Sequence, residues 1–310
     1  MIRMPSMPLP ALSFLLSVGD GHVLQVETRG DPAGEAVLVL HGGPGSGCSL
    51  RLVELYDPAQ HFVVSFDQRG AGRSLPAGET RANTTAHLLA DIEVLRRHLG
   101  IARWRVTGGS WGATLALAYA AAHRGATAGV VVRSAFLPGG GNVAWFFHGL
   151  AKVCPDAWRA LAETVAPAER GDLLAALTRR LHAADPAVTR AAALAWAIYE
   201  QAVAEPAAPP VIPPADAELD RLVLKYRLQA HYLGAGCFMG ESGFFDACAT
   251  LAGLPVTLIH GRLDRVCPPA NAERLHAAIA GSRLVWVEGC GHEAFHPAMA
   301  AAWRDALRAG

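Results

Sequence analysis

Short apolar runs rich in valine recur along the first part of the chain: Ala36–Leu40 (AVLVL), Phe62–Phe66 (FVVSF), Trp104–Gly108 (WRVTG) and Gly129–Ser134 (GVVVRS). Runs of this length without polar alternation suit strands buried on both faces of a mainly parallel sheet. Ahead of them, Phe14–Val18 and His22–Thr28 flank a GDG turn signal and predict a hairpin. Between the runs lie helical periods. The clearest is TTAHLLADIEVLRRHLG, with Leu88, Ile92, Leu95 and Leu99 on one face, Leu89 widening it and Gly100 just past the end. This alternation predicts a doubly wound α/β sheet.

After Phe136 the pattern changes. Residues 137–249 contain no convincing buried strand. They carry alanine-rich helical stretches at Asp156–Val165, Asp172–Ala184 and Val188–Ala204, a proline-rich link AAPPVIPPADAE, and a further helix near Leu219–Tyr232. An all-helical insertion of roughly 110 residues is within the size range of a small domain. The α/β pattern resumes with Pro255–Gly261, a helix near Asn271–Ile279, Arg283–Gly289 and a last helix from Pro297. The expected organisation is a sheet domain made of residues 1–136 and 250–310, interrupted by a helical domain over 137–249, without internal repeats.

Composition narrows the function classes. Of 310 residues, 52% are hydrophobic and 17% charged, which allows a large core and argues against disorder. Basic and acidic residues balance at 27 each, so neither nucleic acid nor an anionic membrane surface is an expected partner. The positive charge is almost all arginine, with Lys152 and Lys225 the only lysines. No apolar run reaches the ~20 residues of a membrane span. Three prolines interrupt the N-terminal stretch MIRMPSMPLPALSFLLSV and no small-residue cleavage site follows, so it does not read as a signal peptide. The six cysteines form no CxxC pair or zinc-finger spacing. They read as free thiols in a reducing compartment, with the cytoplasm as the expected location.

The chemistry starts at VTGGSWGATLALAYA. Gly108, Ser110 and Gly112 match G-x-S-x-G between a valine-containing strand and an alanine-rich helix. A nucleophilic serine on that junction needs a strained turn, neighbours without side chains and a helix N-terminus beneath it. The alternative is an ordinary helix N-cap serine. If Ser110 is the nucleophile, the acid and the base follow it in that order. Of thirteen histidines, His292 lies in the glycine-rich loop EGCGHEAFHP just after the last strand, where the base belongs. His296 is its rival but sits beside the proline that begins the last helix. His231 precedes the resumed sheet, His260 ends a strand and is expected to be structural, and His276 falls mid-helix, where a solvated surface position is expected. Asp264, in LIHGRLDRVCPP, follows the preceding strand and is the candidate acid. Asp67 in FDQRGAGRS precedes the serine and is expected to build a turn with Gly70 and Gly72, with Arg69 as an available ion partner. Glu288 ends its own strand too far round to orient the ring.

The loop His41–Leu50, HGGPGSGCSL, lacks the Lys-Ser/Thr ending of a phosphate loop. In an α/β hydrolase the loop after an early strand supplies one of two oxyanion donors. Its glycines expose backbone N–H groups, and Gly43 and Trp111 are the expected pair. Cys48 and Cys267 are expected near the pocket, where thiol reagents could block it.

Taken together, HGGPGSGCS, FDQRGAGRS, ANTTAHLLADIEVLRRHLGI, GGSWGATLALAYA, HGRLDRVCPP and GCGHEAFHP resemble the prolyl aminopeptidases (proline iminopeptidases) of the α/β-hydrolase class, from about Gly21 to Trp303. The resemblance implies release of an N-terminal proline from peptides by a Ser110–Asp264–His292 triad, without metal or cofactor, beneath a helical cap. It also implies recognition of the substrate's free amine by two cap glutamates. In LAWAIYE, Glu200 matches one of them, with Trp196 four residues before it. In RLQAHYL, Gln229 stands where the second is expected, and Leu233 replaces a pocket phenylalanine. Phe136, Trp145, Phe146 and Phe147 remain as candidate apolar walls. The expected partner is a peptide or a small amide or ester. A hydrolase of the same fold with another acyl specificity, or a catalytically silent binding protein, remain as alternatives.

Overall fold

The computed structural model describes residues 11–209, 211–212 and 214–309. The first ten residues of the stretch weighed as a leader, and two prolines of the AAPPVIPPADAE link, lie outside them. The hairpin expected around GDG is β1 (Leu12–Gly19) and β2 (His22–Gly30), antiparallel to one another. Strict alternation of buried and half-buried positions along β2 marks a strand with one face on the core. The valine-rich runs are β3 (Glu35–Leu40), β4 (His61–Phe66), β5 (Trp104–Gly109) and β6 (Thr127–Arg133). After the insertion come β7 (Val256–Gly261) and β8 (Arg283–Val287).

The eight strands form one sheet in the order β1-β2-β4-β3-β5-β6-β7-β8. From β4 to β8 all pairs are parallel. The order reverses at β3, whose neighbours are β4 on one side and β5 on the other. At such a switch point the loops after two adjacent strands leave in opposite directions and open a crevice at the carboxyl ends. Here those loops are HGGPGSGCS after β3 and the Ser110 turn after β5.

Helices cover both faces. The short α1 (Leu50–Val53) follows the first of these loops; α2 (Thr85–His98) and α3 (Trp111–Ala122) pack on one side of the sheet. Alternation divides the strands' side chains between two cores. Val106, Val130 and Val132 face Leu88, Ile92 and the α3 side chains. Val37, Val39, Val131 and Ile259 face Met299 and Trp303 of α11 (Pro297–Arg308). Helix α10 (Ala270–Ala278) closes the edge near β7 and β8.

Between β6 and β7 the described residues contain helices only: α4 (Gly140–Phe147), α5 (Pro155–Ala162), α6 (Leu173–Leu181), α7 (Pro186–Ala204), α8 (Asp216–Gly234) and α9 (Glu241–Ala249). The starts of α5 and α7 fall one or two residues before the expected ones because Pro155 and Pro186 occupy first-turn positions, where the missing N–H costs nothing. Helices α4 and α9 had no clear period in the sequence. Both are short and glycine-containing, and their burial comes from tertiary packing. A separate core runs from Phe146 to Ala230 and centres on Phe147, Trp196, Tyr199 and Tyr226. Tyr232, Phe244 and Cys248, further along the insertion, pack instead into the sheet core.

Candidate active site

Ser110 sits between β5 and α3 with φ 56° and ψ −123°, a strained backbone for a residue with a side chain. Its neighbours explain how the turn is possible. A Cβ on Gly108 would run into the Gly112 carbonyl, and a Cβ on Gly112 into the Leu40 carbonyl at the end of β3. A Cβ on Gly109 would lie 2.7 Å from the Arg133 guanidinium carbon. The Ser110 N–H donates to the Arg133 carbonyl at 3.1 Å, and the Ser110 carbonyl accepts from Ala113 N–H at 3.0 Å. Trp111 opens the helix, so its N–H has no carbonyl one turn back within α3.

The loop after β3 comes up beside this turn. A Cβ on Gly42 would lie 3.2 Å from the Gly109 carbonyl oxygen and 3.5 Å from the Ser110 Cβ. Gly43 has φ 115°, and a Cβ there would meet Gly45 N at 2.8 Å and Ser46 N at 2.9 Å. Three side chains hold the loop. The Gln68 N–H donates to His41 Nε2 at 2.9 Å, so the ring proton is on Nδ1, which donates to the Gly42 carbonyl at 2.8 Å. Gln68 Nε2 donates to the His41 carbonyl, and Gln68 Oε1 accepts from the Trp111 indole N–H at 2.9 Å. Burial pushes the His41 pKa down, which suits a ring that must accept at Nε2. Asp67 accepts from Cys48 N–H at 2.6 Å and from the Arg73 N–H and Nε at 2.9 Å, tying the two loops together. The expectation that Arg69 partners Asp67 is thereby corrected. Arg69 instead makes two 2.7 Å bonds to buried Asp91 in α2 and one to Asp20.

Asp264 and His292 are brought together from the loops after β7 and β8. The His292 Nδ1–H donates to Asp264 Oδ2 at 2.8 Å and lies 3.1 Å from Oδ1. Asp264 Oδ1 also accepts the Cys267 N–H at 2.8 Å. Burial works to raise the Asp264 pKa, but His292, His260 and the Cys267 N–H outweigh it and hold the carboxyl below its usual value. The other candidate histidines do not hydrogen-bond Asp264, although His260 Nε2 lies 3.7 Å from its Oδ2. His260 Nε2 bonds the Cys267 carbonyl, His231 the Asn83 carbonyl, and His276 the Ser282 hydroxyl. His296 is the residue before Pro297 at the start of α11. Glu288 is exposed and takes Arg262.

Ser110, His292, Gly42 and Gly43 line one cavity of about 230 Å³ that continues between the sheet and the insertion. Phe136, Phe146 and Phe147 form apolar walls, and Leu233 and Val266 add to them. Trp145 is not in the lining; its indole N–H donates to the Arg265 carbonyl at 2.7 Å and latches α4 to the loop after β7. Neither Cys48 nor Cys267 is in the lining. Burial pushes the Cys48 thiol up to about 12 and the Cys267 thiol well above its ordinary value, and Cys267 lies beside the Ser110 hydroxyl.

Glu200 and Gln229 line the same cavity, and Gln229 Nε2 donates to Glu200 Oε1 at 3.0 Å. Two residues that the sequence did not single out complete this corner. Lys225 Nζ is 2.8 Å from Glu200 Oε2, and Tyr226 OH donates to the same oxygen at 2.9 Å. Burial opposes ionisation of Glu200, but Lys225, Gln229 and Tyr226 hold its pKa below the ordinary value. A usable signal was present: Lys225 is one helical turn before Gln229, on the same face of α8. Arg133 was also missed. Its guanidinium lines the cavity, donates to the His292 carbonyl at 3.2 Å and has no carboxylate within 4.0 Å among the described residues.

A strained serine, a carboxylate-oriented histidine and a glycine loop in one cavity are the parts of acyl transfer. Comparison with known proteins agrees. The model for the alpha/beta hydrolase fold matches residues 35–298. A proline iminopeptidase of Xylella fastidiosa is 42% identical over 286 residues, covering 91% of this chain and 91% of that protein. A proline iminopeptidase of Arabidopsis thaliana is 38% identical over 296 residues, covering 94% of this chain and 78% of that one. Among solved structures, a proline iminopeptidase-related protein from Thermus thermophilus superposes with a TM-score of 0.60 at 23% identity, over 97% of this chain and 98% of that one. An esterase from Rhodococcus superposes equally well, at 0.60 and 20% identity, over 98% of each chain, so these two likenesses bear on the fold. With about two in five residues shared along nearly its whole length, the chain belongs to the proline iminopeptidase family of the α/β-hydrolase fold.

Proposed function

We propose that this protein is a serine aminopeptidase that releases an N-terminal residue, proline above others, from peptides through an acyl-enzyme. Ser110 Oγ attacks the first peptide carbonyl while His292 Nε2 takes its proton. The negative charge on the former carbonyl oxygen falls to the Gly43 and Trp111 N–H groups. Collapse breaks the C–N bond, and His292 returns its proton to the departing amine. Water, deprotonated by His292, then cleaves the ester and restores Ser110. Asp264 keeps the His292 proton on Nδ1 and stabilises the imidazolium. Residues 137–249 act as the cap that closes this site, while residues 1–136 and 250–310 carry the chemistry.

The observation that carries this reading is the 2.8 Å His292–Asp264 bond beside a serine with φ 56° in a single cavity. The cavity, at about 230 Å³, is smaller than the ~300–1,000 Å³ of pockets for drug-sized ligands, which favours a single-residue acyl group. No helix among the described residues is long and apolar enough to cross a membrane, and all six cysteines are free, which supports a peptide substrate met in the cytoplasm. The reaction is tested with L-prolyl arylamide: turnover is expected in the native enzyme, with a loss of about 10⁵-fold or more in Ser110→Ala at unchanged melting temperature. Equal turnover by Ser110→Ala would remove the assignment. A second reading, an amide or ester hydrolase of different acyl specificity, is favoured by the Lys225–Glu200 pair. Ester turnover without any aminoacyl arylamide turnover would select it, and failure to react with serine-directed phosphonates would leave a binding protein.

A further inference from the structure

We propose that Lys225 sets the acyl specificity of this enzyme. Its ammonium neutralises the Glu200 carboxylate, which leaves the uncharged Gln229 Oε1 as the unpartnered acceptor beside it and admits acyl groups that carry no charged amine. The proposal rests on the serine-hydrolase reading for its site and deepens it by naming the substrate class.

Glu200 is the carboxylate that lines the cavity wall above Ser110, and its oxygens are already engaged. Oε2 takes the Lys225 ammonium at 2.8 Å and the Tyr226 hydroxyl at 2.9 Å, while Oε1 takes Gln229 Nε2 at 3.0 Å. Lys225 is itself fixed. Its ammonium sits 4.5 Å over the Tyr226 ring, and Tyr226 stacks on Trp196 with ring centroids 5.0 Å apart. The Glu200–Lys225 pair is half-buried, with side-chain exposures of 26% and 23%, so solvent does not screen it away. An incoming ammonium would meet a corner whose formal charge is already zero. Arg133 adds a positive charge to the cavity wall and has no carboxylate within 4.0 Å among the described residues.

Beside this pair lies an acceptor without a donor. Gln229 is buried, and its Oε1 has no hydrogen-bond partner. The orientation of this amide follows from its neighbour, because a flipped amide would point its oxygen at the Glu200 carboxylate. A buried acceptor without a donor favours a ligand that brings one. A hydrogen bond from the amine to an uncharged oxygen discriminates less against an uncharged group than an ion pair with a free carboxylate does.

The test compares two arylamides of one ring size, L-prolyl and cyclopentanecarbonyl, in which CH₂ replaces the ring ammonium. In the native enzyme kcat/KM should favour the prolyl substrate by no more than about a hundred-fold, the range of one hydrogen bond from a charged donor to a neutral acceptor. Lys225→Met frees the carboxylate and should raise that preference by about ten-fold or more, through a lower prolyl KM rather than a higher kcat; Lys225→Arg should keep the native ratio. A structural salt bridge would move both substrates together. A ratio that stays within about two-fold in Lys225→Met, or a native preference above about a thousand-fold, overturns the proposal. Calorimetric binding of L-prolinamide and cyclopentanecarboxamide to Ser110→Ala, with and without Lys225→Met, gives the same ratio without turnover. If neither arylamide is cleaved but the binding ratio moves, the hydrolase reading fails and the Lys225 assignment stands. An unmoved binding ratio overturns that assignment whatever the turnover.

Discussion

The two walls of the cavity are held by different means. Around Ser110 the constraint is the backbone: glycines at 108, 109 and 112 let two strands and a helix approach until no Cβ fits, and the serine is strained as a result. Around Glu200 the constraint is side-chain pairing between two helices, α7 and α8, through Lys225, Tyr226 and Gln229. The first kind of site tolerates almost no substitution, because a clash with a carbonyl oxygen has nowhere to relax. The second can change its charge by altering one side chain while its helices keep their positions. Under the proposed function, chemistry and specificity sit on parts of the molecule with different freedom to vary.

The largest effect that would sharpen this comparison is on the chemical side. Asp264→Asn keeps the shape of the loop, and its amide oxygen can still accept the Cys267 N–H, but the amide turns a donor toward His292 Nδ1 and selects the wrong tautomer. The kcat for prolyl arylamide should fall by about 10⁴-fold with the melting temperature little changed. A fall of less than ten-fold would mean that the pair is structural. Next is the separateness of the two cores. Trp196→Ala empties the centre of the Phe147–Trp196–Tyr226 stack and should cost about 3–5 kcal/mol. Hydrogen exchange should then accelerate in α7 and α8 well before β5 and β6. Uniform loss of protection would show one cooperative unit in place of two. The smallest effect is expected for Gln229→Glu. It removes the donor to Glu200, adds a second carboxylate to the corner and should lower the prolyl KM by about five-fold. An unchanged KM would mean that the amine is held elsewhere.

This division also explains what could be read in the chain. Backbone constraints leave local marks, so Gly108, Ser110, Gly112, Asp264 and His292 stand out from motif and chain order, and the valine runs locate the sheet to within a residue or two. Asp67 stands out as a loop builder, yet its partner is not the nearer arginine, because the fold sends Arg69 to Asp91 and leaves Arg73, six residues on, to Asp67. Gln68, which joins His41 to Trp111, lies in a conspicuous motif but bonds across 27 and 43 residues, beyond any local pattern. Lys225 carried a helical-spacing signal toward Gln229, but its pairing with Glu200, like that of Tyr226, depends on α7 lying beside α8. Arg133 was silent because it ends a buried strand, where a charged residue carries no periodic signal. Helices α4 and α9 were missed because tertiary contacts, rather than a strong apolar period, bury them.

The chain leaves the sheet for the insertion through the residues that frame Ser110. The Arg133 carbonyl holds the Ser110 N–H, Ser134 turns with φ 48°, and the Phe136 N–H reaches back to the Ser110 carbonyl at 3.4 Å. Asn142 then closes the exit. It accepts from Leu137 N–H at 2.9 Å and pairs with Asn271, which also donates to the Ala135 carbonyl. For anyone wishing to transplant a different lid onto this scaffold, the useful splice point lies beyond Asn142. A graft cut at Phe136 would carry away part of the mount on which Ser110 rests, and under the proposed function an insertion exchanged there would alter reactivity together with selectivity.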